Sequence, residues 1–255
     1  MIRHNHIKEG LKQGKSYIGT FIKGTDPSLI EIVGLCGFDF VIIDNEHTLM
    51  SNETLMNLLR TADRMDILPT VRVREINDAL IRQVLDAGAL GIQVPLVDSK
   101  ADAQSVIDST KYAPVGKRGF AASQRSAKYG FMNAAEYAKV SNENTMVACY
   151  CETLESIKNL DEILTLPELD IVFIGPYDIS QALGVLGEVN HPKVLAAIDE
   201  IISKTKKAGK AAGIIAANAE AAKKLIAKGA QYICLSSDFA MVAESGKQLI
   251  KGCKE

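Results

Sequence analysis

The chain has 255 residues, 47% of them hydrophobic, and 29 basic against 31 acidic side chains give a net charge of −2. That balance gives no reason to expect nucleic acid or an anionic membrane as partner, and no apolar run approaches the ~20 residues that span a bilayer. The start, MIRHNHIKEGLKQGKSY, is basic but lacks an apolar stretch for export, so a soluble cytoplasmic protein is expected.

Taken in order, short β-branched apolar runs predict strands at 17–22, 39–44, 68–73, 90–94, 145–151, 170–174, 211–215 and 231–235. Helical patterns lie between most of them. Asp26-Pro27 reads as an N-cap with proline in the first helical position. Asn77 caps a helix whose stripe is Leu80, Ile81, Val84 and Leu85, and Asn218 caps the one carrying Leu225 and Ile226. His191, before Pro192, reads as a capping residue at a further helix start. CGFDFVII, AGALGIQV and KGAQYICL each run from helix end through glycine to strand, so Gly37, Gly88 and Gly229 are expected in the left-handed conformation that ends a helix. Eight strands alternating with helices in about 250 residues predict a single (β/α)8 TIM barrel, one domain over 1–255. An open doubly wound sheet is the alternative, but no Gly-x-Gly-x-x-Gly follows the first strand. Tyr112 to about Asn144 is long for a connection, and it is expected to overhang the site.

Four runs end in charge or polarity: FVIIDNEH, PTVRV, MVACYCE and IVFIGPYD. A core has no use for charge there, whereas the carboxyl ends of α/β strands are where ligands bind. Asp44, Glu46, His47, Arg72, Glu152 and Asp178 are therefore expected on one face. Glu152 and Asp178 follow consecutive strands, and two carboxylates that close call for a cation between them. An all-oxygen site favours Mg²⁺ or Mn²⁺. Arg72 suits a carboxylate or oxyanion, with Arg74 its competitor. His47 lies three residues past Asp44, which could orient it, or Glu46 could instead. The five cysteines are odd in number and in mostly apolar settings, which argues against a disulfide framework, and Cys149-x-Cys151 reads as buried filler.

In order and spacing, IIDNEH, PTVR, VLDAG, YAPVGKRG, the Glu-Thr after the fifth strand, FIGPYDIS, HPKV and GKAAGIIAAN resemble the HpcH/HpaI family. These are metal-dependent class II pyruvate aldolases of the 4-hydroxy-2-oxoheptanedioate and 2-keto-3-deoxysugar acid type. The resemblance covers essentially the whole chain. It implies that Glu152 and Asp178 hold the divalent ion (Mg²⁺, Mn²⁺ or Co²⁺) and that Arg72 contacts pyruvate and its enolate oxygen. It implies further that His47, oriented by Asp44, manages the aldol proton, and that Asp86 serves proton chemistry or oligomer contacts. Gly175, Pro176, Tyr177 and Asp178 would lie against the pyruvate carboxylate. The expected substrates are pyruvate and an aldehyde, and the expected assembly is a homo-oligomer, a hexamer.

Three departures stand out. Tyr150 replaces the family's glutamine two residues before the metal glutamate, Tyr177 replaces a small residue, and the glycine-rich stretch reads Phe120-Ala121-Ala122-Ser123. Both tyrosines are expected to touch the site and change its substrate scope. The alternatives are a Schiff-base aldolase using Lys23, an acyl-CoA lyase with a basic surface at Lys111, Lys117, Arg118 and Arg125, and a barrel that binds an oxo acid without turnover.

Overall fold

The computed structural model describes residues 1–255. Parallel strands close into a barrel in sequence order: β1 (Tyr17–Ile22), β2 (Phe40–Asp44), β3 (Leu68–Arg72), β4 (Gly91–Val94), β5 (Met146–Cys151), β6 (Ile171–Ile174), β7 (Ala211–Ala216) and β8 (Tyr232–Ser237). β8 pairs back to β1, so no edge is left open. Each strand falls on a run that the sequence marks, with ends shifted by a residue or two.

Alternation along the strands sorts side chains into two cores. Val41 and Ile43 face out to the helices, while Phe40 and Ile42 face into the barrel. On β5, Val147, Cys149 and Cys151 face out, and Met146, Ala148 and Tyr150 face in. The interior is filled by rings: Phe40 stacks on Tyr232 with centroids 3.8 Å apart, and Tyr150 on Phe173 at 4.6 Å. Glycines make room for them. A Cβ at Gly19 would lie 2.2 Å from the Phe40 ring, and one at Gly213 2.8 Å from Phe173. The same parity aims Asp44, Arg72 and Glu152 inward at the carboxyl end, one step above the packed rings.

The helix signals hold. Asn77 accepts from the Leu80 N–H, Asn218 from Ala221 and His191 Nδ1 from Lys193. Gly88 and Gly229 both end helices at φ +110°. The first barrel helix differs by one residue from the expectation: it begins at Ser28 with Pro27 in the cap position, and Asp26 Oδ1 accepts the Ser28 N–H at 2.8 Å from just outside it. All five cysteines are free, with Cys149, Cys151 and Cys234 buried and Cys36 and Cys253 exposed.

One expectation fails. The segment from Tyr112 to Asn144 does not overhang the carboxyl-end mouth, because it joins the helix Lys100–Thr110 to the start of β5. A helix-to-strand connection returns the chain to the amino end of a barrel. There the Ile2 N–H donates to the Ser126 carbonyl, and Arg125 bonds the Ala87 carbonyl and Asp63. No helix is long and apolar enough to cross a membrane. The last helix, Asp238–Lys254, buries only Asp238 and leaves Phe239, Val242, Leu249 and Ile250 exposed.

Candidate active site

Asp44 and Arg72 are register partners at the ends of β2 and β3. The Asp44 carboxylate is fully buried and accepts from Arg72 Nε at 3.0 Å and Nη2 at 2.7 Å. It also accepts the backbone N–H groups of Glu46 and His47, at 3.1 and 3.3 Å. Burial alone would raise its pKa, but the Arg72 guanidinium, helped by Lys23, holds it below the usual carboxylate range. Arg72 lies between the Phe21 and Tyr150 rings, 4.8 and 5.6 Å from their centroids, with Nη1 3.0 Å from Glu46 Oε2. Asp44 therefore positions Arg72, not the His47 imidazole as expected. The largely exposed His47 brings Nε2 within 3.6 Å of Glu46 Oε2, so Glu46 is its neighbouring carboxylate. Arg74 turns away and donates to the Asn45 carbonyl.

Glu152 follows β5, and Asp178 sits in the first turn of the helix Pro176–Ala182 after β6. They meet at Gly175, where an added Cβ would lie 2.8 Å from Glu152 Oε2 and 3.1 Å from Asp178 Oδ2. Two carboxylate oxygens thus face one small space that glycine keeps clear. Glu152 Oε1 accepts the Leu96 N–H at 2.9 Å, from a residue held at φ +53°. Burial first, then the charges of Asp178 and Glu46, push the Glu152 carboxyl up to about 7 against that hydrogen bond. Burial also raises Glu46, with Arg72 opposing and Asp44 and Asp178 adding to it. Surplus negative charge, hard oxygen donors and a glycine-cleared space fit a divalent cation. No third Asp, Glu, His or Cys joins the pair, so a cation held there would complete its coordination with water or substrate.

Comparison with known proteins settles the relationship. The HpcH/HpaI aldolase/citrate lyase profile matches residues 17–245. The chain belongs to that family. It is 35% identical to a 2-keto-3-deoxy-L-rhamnonate aldolase from Salmonella gallinarum, over 94% of this chain and 90% of that one. A crystal structure of an HpcH/HpaI aldolase/citrate lyase family protein from Burkholderia cenocepacia superposes with a TM-score of 0.93 at 27% identity, covering 98% of this chain and all of that one. The crystal structure of citrate synthase SbnG gives 0.89 at 30% identity, covering 97% and 96% of the two chains. The chain is thus a carbon–carbon lyase of the class II, metal-dependent aldolase kind.

Within this family member, the two tyrosines take different places, Tyr150 with its ring against Arg72 and Tyr177 at the rim. Tyr150 is buried below Arg72, and its hydroxyl donates to Gln93 Oε1 at 3.1 Å. Gln93 Nε2 in turn donates to Thr70 Oγ1 at 3.1 Å and to the Tyr232 hydroxyl at 3.2 Å. The phenol therefore closes a polar network inside the barrel instead of entering the site. Tyr177 is exposed at the rim, where with Pro176, Ile215 and Leu235 it lines a groove of about 870 Å³. Asp86 lies in the last turn of the helix Asp78–Ala87, at the amino end, bound to Arg118 Nη2 at 2.6 Å. One chain does not bring it to the Glu152–Asp178 pair.

The four cations expected to form a basic surface for a CoA ester do not form one together. Lys111 is fully buried, Arg118 and Arg125 are buried on Asp86 and Asp63, and Lys117 is paired with Asp108 at 2.5 Å. The sequence reading overlooked Gln93, although a polar residue inside the run GIQV was a visible signal. Lys23 is at the mouth, its Nζ 3.2 Å from Asp44 Oδ2.

Proposed function

We propose that this protein interconverts a 4-hydroxy-2-oxo or 2-keto-3-deoxy acid with pyruvate and an aldehyde, using Mg²⁺ or Mn²⁺ (or Co²⁺) held by Glu152 and Asp178. The observation that carries this reading is the convergence of those carboxylates beside Gly175, at the barrel mouth two strands round from the buried Arg72. The name of the Salmonella relative supports the oxo-acid class.

When bound, the cation supplies electrophilic stabilisation to oxygen charge on the substrate. Arg72, fixed by Asp44 and two rings, presents its guanidinium edge to the carboxylate and to the C2 oxygen where negative charge develops. Gly175 and Pro176 let the first turn of the following helix approach the pyruvate carboxylate. His47, with Glu46 beside it, takes the C4 hydroxyl proton through water. The C3–C4 bond then breaks, its electron pair becomes the enolate, the hydroxyl carbon leaves as aldehyde, and a proton returned to C3 gives pyruvate. The apolar stripe left bare on Asp238–Lys254 supports a homo-oligomer, of the hexameric kind the family resemblance implies.

Exchange of the pyruvate C3 hydrogens for deuterium, followed by NMR, tests the reading without knowledge of the aldehyde. Exchange should require Mg²⁺ or Mn²⁺ and stop on chelation. Exchange indifferent to chelator, with borohydride trapping pyruvate on Lys23, would establish the Schiff-base route instead. No exchange from folded, metal-loaded protein would sink the enolising site.

A further inference from the structure

Glu152 is gripped from two sides. Its own N–H donates to the buried Ser156 Oγ at 3.1 Å, in the capping box that opens the next helix at Thr153. Its carboxylate divides into two roles. Oε2 faces the space that Gly175 keeps clear, whereas Oε1 accepts the Leu96 N–H at 2.9 Å. Leu96 reaches that oxygen because β4 pairs with β5 in a register that sets Val94 opposite Cys149. The loop after β4 therefore runs alongside the end of β5.

Leucine is an uncommon residue for the conformation found there. Leu96 holds φ +53° with its side chain exposed. The left-handed region crowds Cβ against the following carbonyl, a cost that asparagine or aspartate offsets with a local hydrogen bond and leucine does not. Its N–H goes to the carboxylate and to no backbone carbonyl. The strained backbone is held from both sides. Pro95 and Val97 are buried, Asp98 accepts from the Thr153 hydroxyl, and the Asp98 carbonyl accepts Asn159 Nδ2 at 2.8 Å. The loop after β4 is thus tied repeatedly to the segment after β5. Relaxing φ between these anchored ends would rotate the Pro95–Leu96 peptide and turn its N–H away from Oε1. Strain that the surroundings over-determine in this way points to a functional position.

We propose that Leu96 is a positioning residue for the metal centre: its backbone N–H, aimed by the left-handed conformation, fixes Glu152 so that Oε2 is the oxygen offered to the cation. The N–H carries this role, and the leucine side chain does not. The inference rests on the reading of Glu152 and Asp178 as metal ligands, and it adds a main-chain part to that centre.

Calorimetric titration of the metal-free protein with Mn²⁺ tests it, with Kd as the readout. Two variants separate the N–H from the side chain. Replacing Leu96 by its α-hydroxy acid through nonsense suppression turns one backbone amide into an ester, which keeps the side chain and deletes the N–H. Leu96→Gly keeps the N–H and tolerates the left-handed backbone, but deletes the side chain. The ester should bind Mn²⁺ roughly tenfold to a hundredfold more weakly, the cost of losing a group that orients a metal ligand. Leu96→Gly should bind as the native protein does. If the ester protein does not fold, Leu96→Val, whose branched side chain resists positive φ, should show the same weakening. An ester that binds like the native protein overturns the assignment, and so does a Leu96→Gly variant weakened as much as the ester. Folded native protein that takes up no Mn²⁺ overturns the metal reading itself, and this inference falls with it.

Discussion

At the amino end of the barrel, Lys8 and Lys111 share the Thr145 carbonyl at 2.9 and 2.8 Å, with Asp170 3.1 Å from Lys8 and Glu168 3.6 Å from Lys111. Close by, Asp63 gathers Arg125 and the amino terminus, and Arg118 takes Asp86. At the carboxyl end, Glu152 and Asp178 share a space beside Gly175 and neither pairs with a lysine or arginine. Charge at the floor closes on opposite charge, as a structural element should. At the mouth, beside the Asp44–Arg72–Lys23 cluster, Glu152 and Asp178 face each other without a cationic partner, an arrangement that a bound cation or a proton would relieve. Unbalanced charge, more than the mere presence of charge, is what separates a site from a brace.

Removing the imbalance should therefore trade function for stability. Glu152→Gln keeps the shape and the Leu96 hydrogen bond but deletes the charge. Metal-dependent C3 exchange should fall by about a thousandfold, the upper range for loss of a group that stabilises developing charge. The fold should gain. A carboxyl raised to about 7 in the native state costs stability once pH exceeds its unfolded value, and at pH 8 the whole penalty is present. The metal-free variant should then be more stable than the native protein by on the order of 1–3 kcal/mol at pH 8, with the difference vanishing below the usual carboxylate range. Equal metal-free melting temperatures at pH 8 would show that the mouth is balanced by some other group.

Much of this contrast was legible in the chain itself. Apolar runs such as Phe40–Ile43 are buried on both faces, so they announce parallel strands, and charge just past them announces the mouth. Glu152 and Asp178 were visible on that ground. Asp44 was misassigned because its partner depends on the β2–β3 register, which sets it beside Arg72 and which no local pattern encodes. Tyr150 has the same inward parity as Glu152 but sits two residues lower, among packed rings, so parity alone could not tell network from site. The direction of the Tyr112–Asn144 segment was recoverable, because a connection that feeds a strand must end at the amino face.

At the floor, the informative group is Lys111, which burial, reinforced by the neighbouring Lys8, pushes down to about 7. Here the unfolded chain binds more protons than the native one between about 7 and the ordinary lysine value, so stability should rise with pH across that window. Lys111→Met deletes the titration. Its unfolding free energy should lack that rise, differing in slope from the native protein by an amount that accumulates to a few kcal/mol. Urea melts at pH 7 and pH 10 measure it. Parallel pH profiles for the two proteins would mean that Asp170 and Glu168 balance the buried ammonium fully, and the floor would be even more neutral than argued.

The smallest expected effect lies between the two ends, where Tyr150 supports Arg72 from below. Its hydroxyl meets Gln93, and its ring carries both Phe173 and the guanidinium. Tyr150→Phe strands the Gln93 carbonyl oxygen in a dry interior while leaving the ring beneath Arg72. A loss of about 1–2 kcal/mol in stability follows, with C3 exchange and pyruvate KM within a few-fold of native. Tyr150→Leu should add a rise in pyruvate KM, since Arg72 then loses one of its two walls. A Phe variant that loses exchange more than tenfold while still binding metal would place the phenol among the reacting groups. The boundary between packed interior and open mouth would then lie one layer lower than the hydrogen bonds put it.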